Sequence, residues 1–127
     1  MKPKYYICEH CGNIVEMVED RSVTPMCCGQ KMKELIPGTT DAAAEKHVPV
    51  RKVEGNIVTV TVGSAEHPML TEHYIKWVSL RTKQGHQRKT LSPGGKPEVQ
   101  FALCLGDEVE AVYAYCNLHG LWKTEIK

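Results

Sequence analysis

From Ile57 to Val62 the chain reads Ile-Val-Thr-Val-Thr-Val, β-branched throughout with valine at every second position, which predicts a strand burying one face. Further short apolar runs predict strands over Val48–Val53, Tyr74–Arg81, Gln87–Leu91, Glu98–Leu105, Glu108–Cys116 and Leu121–Ile126. Turn formers separate them, including Gly55-Asn56 and the loop Ser92-Pro93-Gly94-Gly95-Lys96-Pro97. Seven strands without a long helical period predict a mainly β fold, a β-sandwich. One helical turn is expected over the alanine-rich Asp41–Lys46, ending at His47 because Val48 precedes Pro49 and is pushed toward extended geometry.

The first 37 residues follow another logic. Cys8-Glu9-His10-Cys11-Gly12 and Cys27-Cys28-Gly29 bracket a possible strand at Asn13–Val18. A Cys-x-x-Cys pair followed by glycine bends the backbone so that its amides point at the sulfurs, and a second pair completes a tetrahedral metal site. That second pair is adjacent, so its thiolates must open to an unusual angle. So short a piece could not fold without its metal. At Pro37-Gly38-Thr39-Thr40 the composition changes abruptly, which places a domain boundary there: a metal knuckle over 1–37 and a sandwich over 38–127.

Sixteen Lys and Arg against fifteen Asp and Glu leave a net charge of +1, and only 6% of residues are aromatic. Neither value favours nucleic acid or a membrane as partner. The opening Met1-Lys2-Pro3-Lys4 leads into too short an apolar stretch for an export signal, so a cytoplasmic location is expected and the cysteines read as ligands, not disulfides.

A second ligand set is suggested by Cys116-Asn117-Leu118-His119-Gly120, where a thiolate and an imidazole three positions apart could grip one ion. Alone that pair is a weak signal, but His47, His67 and His73 stand in turn-like contexts upstream, as loops of a rigid scaffold deliver ligands. Four imidazoles and one thiolate exceed zinc's usual tetrahedral set and leave a sixth position open for a small reactant. The spacing does not itself specify iron. A zinc-ribbon binding module and a pure electron carrier are the rival classes; the open position argues against the carrier.

Taken together, the four-cysteine knuckle, Glu-Lys-His-Val-Pro-Val, His-Pro-Met, His-Tyr-Ile and Cys-Asn-Leu-His-Gly resemble, in this order, the desulfoferrodoxin family of two-iron superoxide reductases. The resemblance spans the whole chain and implies a desulforedoxin-like knuckle followed by an immunoglobulin-like sandwich. It implies two iron ions per chain, an Fe(Cys)4 centre at Cys8, Cys11, Cys27 and Cys28 and an Fe(His)4(Cys) centre at His47, His67, His73, His119 and Cys116. The implied reaction is one-electron reduction of superoxide to hydrogen peroxide. Lys46 would attract the anion and Glu45 would close the sixth position of the oxidised iron. The resemblance further implies rubredoxin as donor and a homodimer, which the limited surface of the small knuckle also favours.

Other residues carry ordinary expectations. His10 and His86 read as solvated, Cys104 as an inert core thiol, and Trp77 and Trp122 as packing residues, one of which could cover the metal site.

Overall fold

The computed structural model of the protein describes residues 2–40 and 42–126. The chain divides into two compact units between Ile36 and Pro37.

In the first unit, β1 (Tyr5–Ile7) lies between β2 (Ile14–Glu16) and β5 (Lys33–Glu34), antiparallel to both. A hairpin of β3 (Met26–Cys27) and β4 (Gln30–Lys31) completes it. Its core is a small cluster of Tyr6, Cys8 and Met32, with Met17 and Cys27 packed against it. The strand expected over Asn13–Val18 is confined to Ile14–Glu16.

The second unit opens on one helical turn, α1 (Ala44–His47). This is later than the expected Asp41–Lys46, and Asp41 itself lies outside the described residues. Val48 leaves the turn in extended geometry, φ −70° and ψ 120°, as the following proline demands. Seven strands follow: β6 (Pro49–Glu54), β7 (Ile57–Val62), β8 (Ile75–Thr82), β9 (Gly85–Thr90), β10 (Glu98–Ala102), β11 (Val109–Cys116) and β12 (Gly120–Glu125). They form two antiparallel sheets, β10-β7-β6 and β12-β11-β8-β9. Val58, Val60 and Val62 on β7 and Phe101 on β10 meet Ile75, Val78, Leu80, Val112 and Ala114 from the facing sheet in one core. Cys116, the last residue of β11, belongs to that core and is buried.

The apolar run Phe101-Ala102-Leu103-Cys104-Leu105 does not continue as a strand. β10 ends at Ala102, Leu103 N–H donates to the Asn56 carbonyl, and a turn through Gly106 (φ 82°) exposes both Cys104 and Leu105. The core thiol expected at Cys104 is therefore a surface thiol.

Candidate metal centres

The first cluster is built by the loop after β1 and the tip of the β3–β4 hairpin. Cys8 ends the segment leaving β1, and the Cys11 amide turns back onto its sulfur at 3.5 Å, while Gly12 (φ 84°) donates its N–H to the Cys8 carbonyl. Cys28 adopts a left-handed φ of 51° and Gly29 one of 73°, which turns the second cysteine of the adjacent pair toward the others. The sulfurs of Cys11 and Cys27 stand 3.6 Å apart and those of Cys27 and Cys28 4.0 Å. Four thiolates at ~2.3 Å from a central ion in a tetrahedron would be ~3.8 Å apart, so the cluster fits one metal.

Proton affinities in the cluster diverge. The Cys11 amide lowers the Cys8 thiol to about 6, whereas the crowding thiols of Cys11 and Cys8 hold Cys28 up to about 12 and raise Cys27 as well. Without a cation the crowded sulfurs of Cys27 and Cys28 resist ionising. A bound metal removes that conflict and displaces the remaining protons.

The second cluster gathers residues from four places in the sandwich unit. His47 ends α1, His67 and His73 lie on the connection between β7 and β8, Cys116 closes β11, and His119 sits in the turn to β12. The ligand atoms of His47, His67, His73 and Cys116 all lie within 4.8 Å of one another. His119 joins them, its Nδ1 lying 3.1 Å from His47 Nε2 and 3.9 Å from Cys116 Sγ.

The four imidazoles stand at the corners of a near-square. Neighbouring rings are close to perpendicular, at 77–90°, with centroids 4.7–5.1 Å apart. Across the figure His47 and His73 are 6.5 Å apart. A tetrahedron would make all separations equal, whereas a square makes the diagonal about 1.4 times the side, and the square describes these rings.

The nitrogens ask for a cation. His47 donates its Nδ1–H to the Ala43 carbonyl at 2.7 Å and His67 donates its own to the Pro68 carbonyl at 2.7 Å. In the neutral rings, both Nε2 atoms are then lone-pair acceptors, yet they face each other at 3.2 Å. His73 Nε2 is buried and has no hydrogen-bond partner. A proton is a poor remedy, because burial lowers the proton affinity of His47, His67 (to about 4) and His73. One ion about 2 Å from each nitrogen satisfies all of them.

Burial raises the Cys116 thiol, although the amides of Leu118 and His119 point at its sulfur. Metal binding would thus have to displace its proton.

Glu45 and Lys46 are exposed on α1, immediately before the first imidazole. The Lys46 charge is felt at His47 and at His73, where it adds to burial in disfavouring protonation. What fixes this turn is Gly63, which the sequence did not single out. A Cβ there would stand 2.3 Å from the Ala65 carbonyl oxygen, 2.7 Å from that of Lys46 and 2.9 Å from that of Glu45. Gly63 N–H donates to the Val48 carbonyl, and Ala65 N–H and Ser64 Oγ donate to that of Glu45. No local pattern could have revealed this contact, since it joins segments in different parts of the chain.

Trp122 is the tryptophan that covers the site. It stacks on His47 with centroids 5.0 Å apart and donates Nε1–H to the His119 carbonyl at 3.0 Å, so it braces two neighbouring corners. Trp77 stacks instead on Tyr115, at 5.5 Å and 12°. His10 and His86 are exposed, as expected, although His86 lies on β9 and not in a loop.

Residues 39–125 match the family model of desulfoferrodoxin, and residues 2–35 that of the desulfoferrodoxin N-terminal domain. A desulfoferrodoxin homolog of Archaeoglobus fulgidus is 48% identical over 119 residues, 94% of each chain. The crystal structure of the superoxide reductase from Treponema pallidum superposes with a TM-score of 0.84 at 40% identity, covering 98% of this chain and 100% of the other. A one-iron superoxide reductase from Giardia intestinalis aligns with 65% of this chain and 98% of its own, at a TM-score of 0.56 and 35% identity.

Proposed function

The chain belongs to the desulfoferrodoxin family, and on that premise we propose that it reduces superoxide to hydrogen peroxide at its second metal centre. Ferrous iron, held there by His47, His67, His73, His119 and Cys116, would supply the single electron, which with two protons converts superoxide to hydrogen peroxide without forming dioxygen. The observation that carries this reading is the near-square of His47, His67, His73 and His119 with the buried Cys116 beside it.

The residues divide the work. Neutral imidazoles hold the ion and leave its positive charge uncancelled. Cys116 contributes one negative charge and electron density from the core side, which favours release of an electron and of an anionic product. The exposed ammonium of Lys46 raises the local concentration of superoxide. Glu45, exposed on α1 immediately before His47, would supply a carboxylate to the oxidised centre.

The four-cysteine cluster, with tetrahedral spacing and no open position, serves electron transfer or structure. Rubredoxin is the proposed donor. A homodimer is favoured by Val18, Val23 and Met26, large apolar side chains exposed on a unit whose own core is small. A reducing cytoplasm suits six unpaired cysteines, five of them set for a metal.

Metal analysis with an absorption spectrum and pulse-radiolysis kinetics tests the reading. Two irons per chain, a thiolate-to-iron band and second-order consumption of superoxide without dioxygen release are expected. A colourless zinc protein, or an iron protein inert to superoxide, would overturn it. Sedimentation as a monomer at micromolar concentration would remove the dimer from the proposal.

A further inference from the structure

His73 differs from the other three imidazoles of the second centre. His47 and His67 are each locked by an Nδ1–H bond to a carbonyl, and His119 Nδ1 lies against His47. Among the described residues the ring of His73 takes no hydrogen-bond partner, and its buried Nε2 has none. Its aim is therefore set by packing against the His67 and His119 rings and by the backbone that carries it.

That backbone is gripped from both sides by one residue. Asn117 Nδ2 donates to the Glu72 carbonyl at 3.0 Å, and Asn117 Oδ1 accepts the Tyr74 N–H at 2.9 Å. Only one amide orientation satisfies both, because a carbonyl cannot donate and an N–H cannot accept. The Asn117 N–H adds a bond to the Tyr74 carbonyl at 3.2 Å, and Leu70 and His73 exchange backbone bonds at 2.9 and 3.1 Å. Asn117 directly follows Cys116 in the chain, so the peptide that carries the sulfur also carries the clamp on His73.

We infer that Asn117 is a positioning residue of the second centre, which fixes the His73 imidazole relative to the Cys116 thiolate. The inference rests on the ligand set proposed above. The Asn117 bonds are partly open to solvent, so water can replace much of their energy after truncation but not their geometry. Removing the side chain should therefore disturb the metal more than the fold. Outer-shell partners of metal ligands are typically worth about tenfold or more in metal affinity.

The test uses the iron-loaded full chain and the variants Asn117→Ala and Asn117→Asp. Three quantities are read: loss of the second iron to excess chelator, the position of the thiolate-to-ferric absorption band, and the thermal midpoint. Asn117→Ala should lose iron about tenfold faster and shift the band, with a midpoint close to wild type. Asn117→Asp keeps the acceptor for Tyr74 but sets an oxygen against the Glu72 carbonyl, and should change iron loss and the band in the same direction. It decides the matter if the alanine variant fails to fold. Wild-type iron retention and an unmoved band in a folded variant, whatever its midpoint, overturn the inference. If the wild-type protein itself takes up no second iron, the ligand set has failed, and the inference fails with it.

Discussion

The two metal clusters stand in opposite relations to the units that contain them. In the first unit the buried cysteine is a large part of the core, for Cys8 forms a small cluster with Tyr6 and Met32, and a metal there would hold the fold. In the second unit the sheets close on a core made mostly of valine, leucine, isoleucine and phenylalanine, with the ligand Cys116 only at its end, and the fold holds the ligands. Spacing in the chain carries the same contrast. Cys8 and Cys11 are one turn apart, whereas His47 and His119 are separated by 72 positions and meet only after the sandwich has formed. A ligand set that is local needs a metal to become structured; one that is long-range needs a structure to become a ligand set.

The widest breach of that contrast should come from Cys11→Ser. Losing one of four thiolates should leave the first unit without its centre and largely unfolded. The second unit should keep its iron and its rate with superoxide to within about twofold, since the ligand sets share no residue. Amide NMR resonances of the first unit collapsing while those of the sandwich persist would bear this out; loss of the second iron would show the units to be coupled.

Gly63→Ala attacks the other side of the comparison. The new Cβ meets three carbonyl oxygens closer than 3.0 Å in a left-handed backbone, so a loss of about 3 kcal/mol is expected from denaturant midpoints. The damage should reach the metal as well, because α1 carries His47, and weaker iron retention by the second centre should accompany it.

Lys46→Ala should separate chemistry from scaffold. The side chain is exposed, so stability should hardly move, while the second-order rate with superoxide should fall about tenfold and lose part of its dependence on ionic strength. Stopped-flow or pulse-radiolysis rates across a salt series measure both. An unchanged rate and salt slope would return Lys46 to the ordinary solvated surface.

The smallest effect is expected at Cys104, where the sequence suggested a core position. The thiol is exposed, and Cys104→Ser should alter unfolding free energy by less than about 0.5 kcal/mol. A loss of several times that size would mean that the side chain packs inside after all.

The sandwich was legible because the cues for it are local. Ile57–Val62 alternates with the period of a pleated strand, and its register against β6 and β10 places Val58, Val60 and Val62 inward together. The Cys-x-x-Cys-Gly turn is likewise written in consecutive residues. The run from Phe101 to Leu105 misled because apolar composition alone does not say where a strand stops, and the turn ahead of Gly106 had already drawn the chain outward. The surroundings of the second centre were legible as a ligand inventory only. That Gly63 seats α1, that Asn117 grips the residues flanking His73 and that Trp122 roofs His47 are contacts between separate segments of the chain, which no local pattern encodes.

The square of imidazoles has a consequence for which ion the protein accepts. Zinc binds nitrogen and sulfur ligands strongly but prefers a tetrahedron, and with three of the four rings held by Ala43, Pro68, Trp122 and the β11–β12 turn the set is not free to fold into one. Mismetallation by zinc at this centre is thus opposed by rigidity, not by weak ligands. The four-thiolate cluster has no such defence, since its near-tetrahedral sulfurs suit zinc as well as iron. Copper is the converse hazard, because a square of nitrogens suits it and it binds such donors more tightly than iron does. Selection against copper at the imidazole site, and against zinc at the sulfur site, therefore falls to the metals the cell makes available and not to the polypeptide.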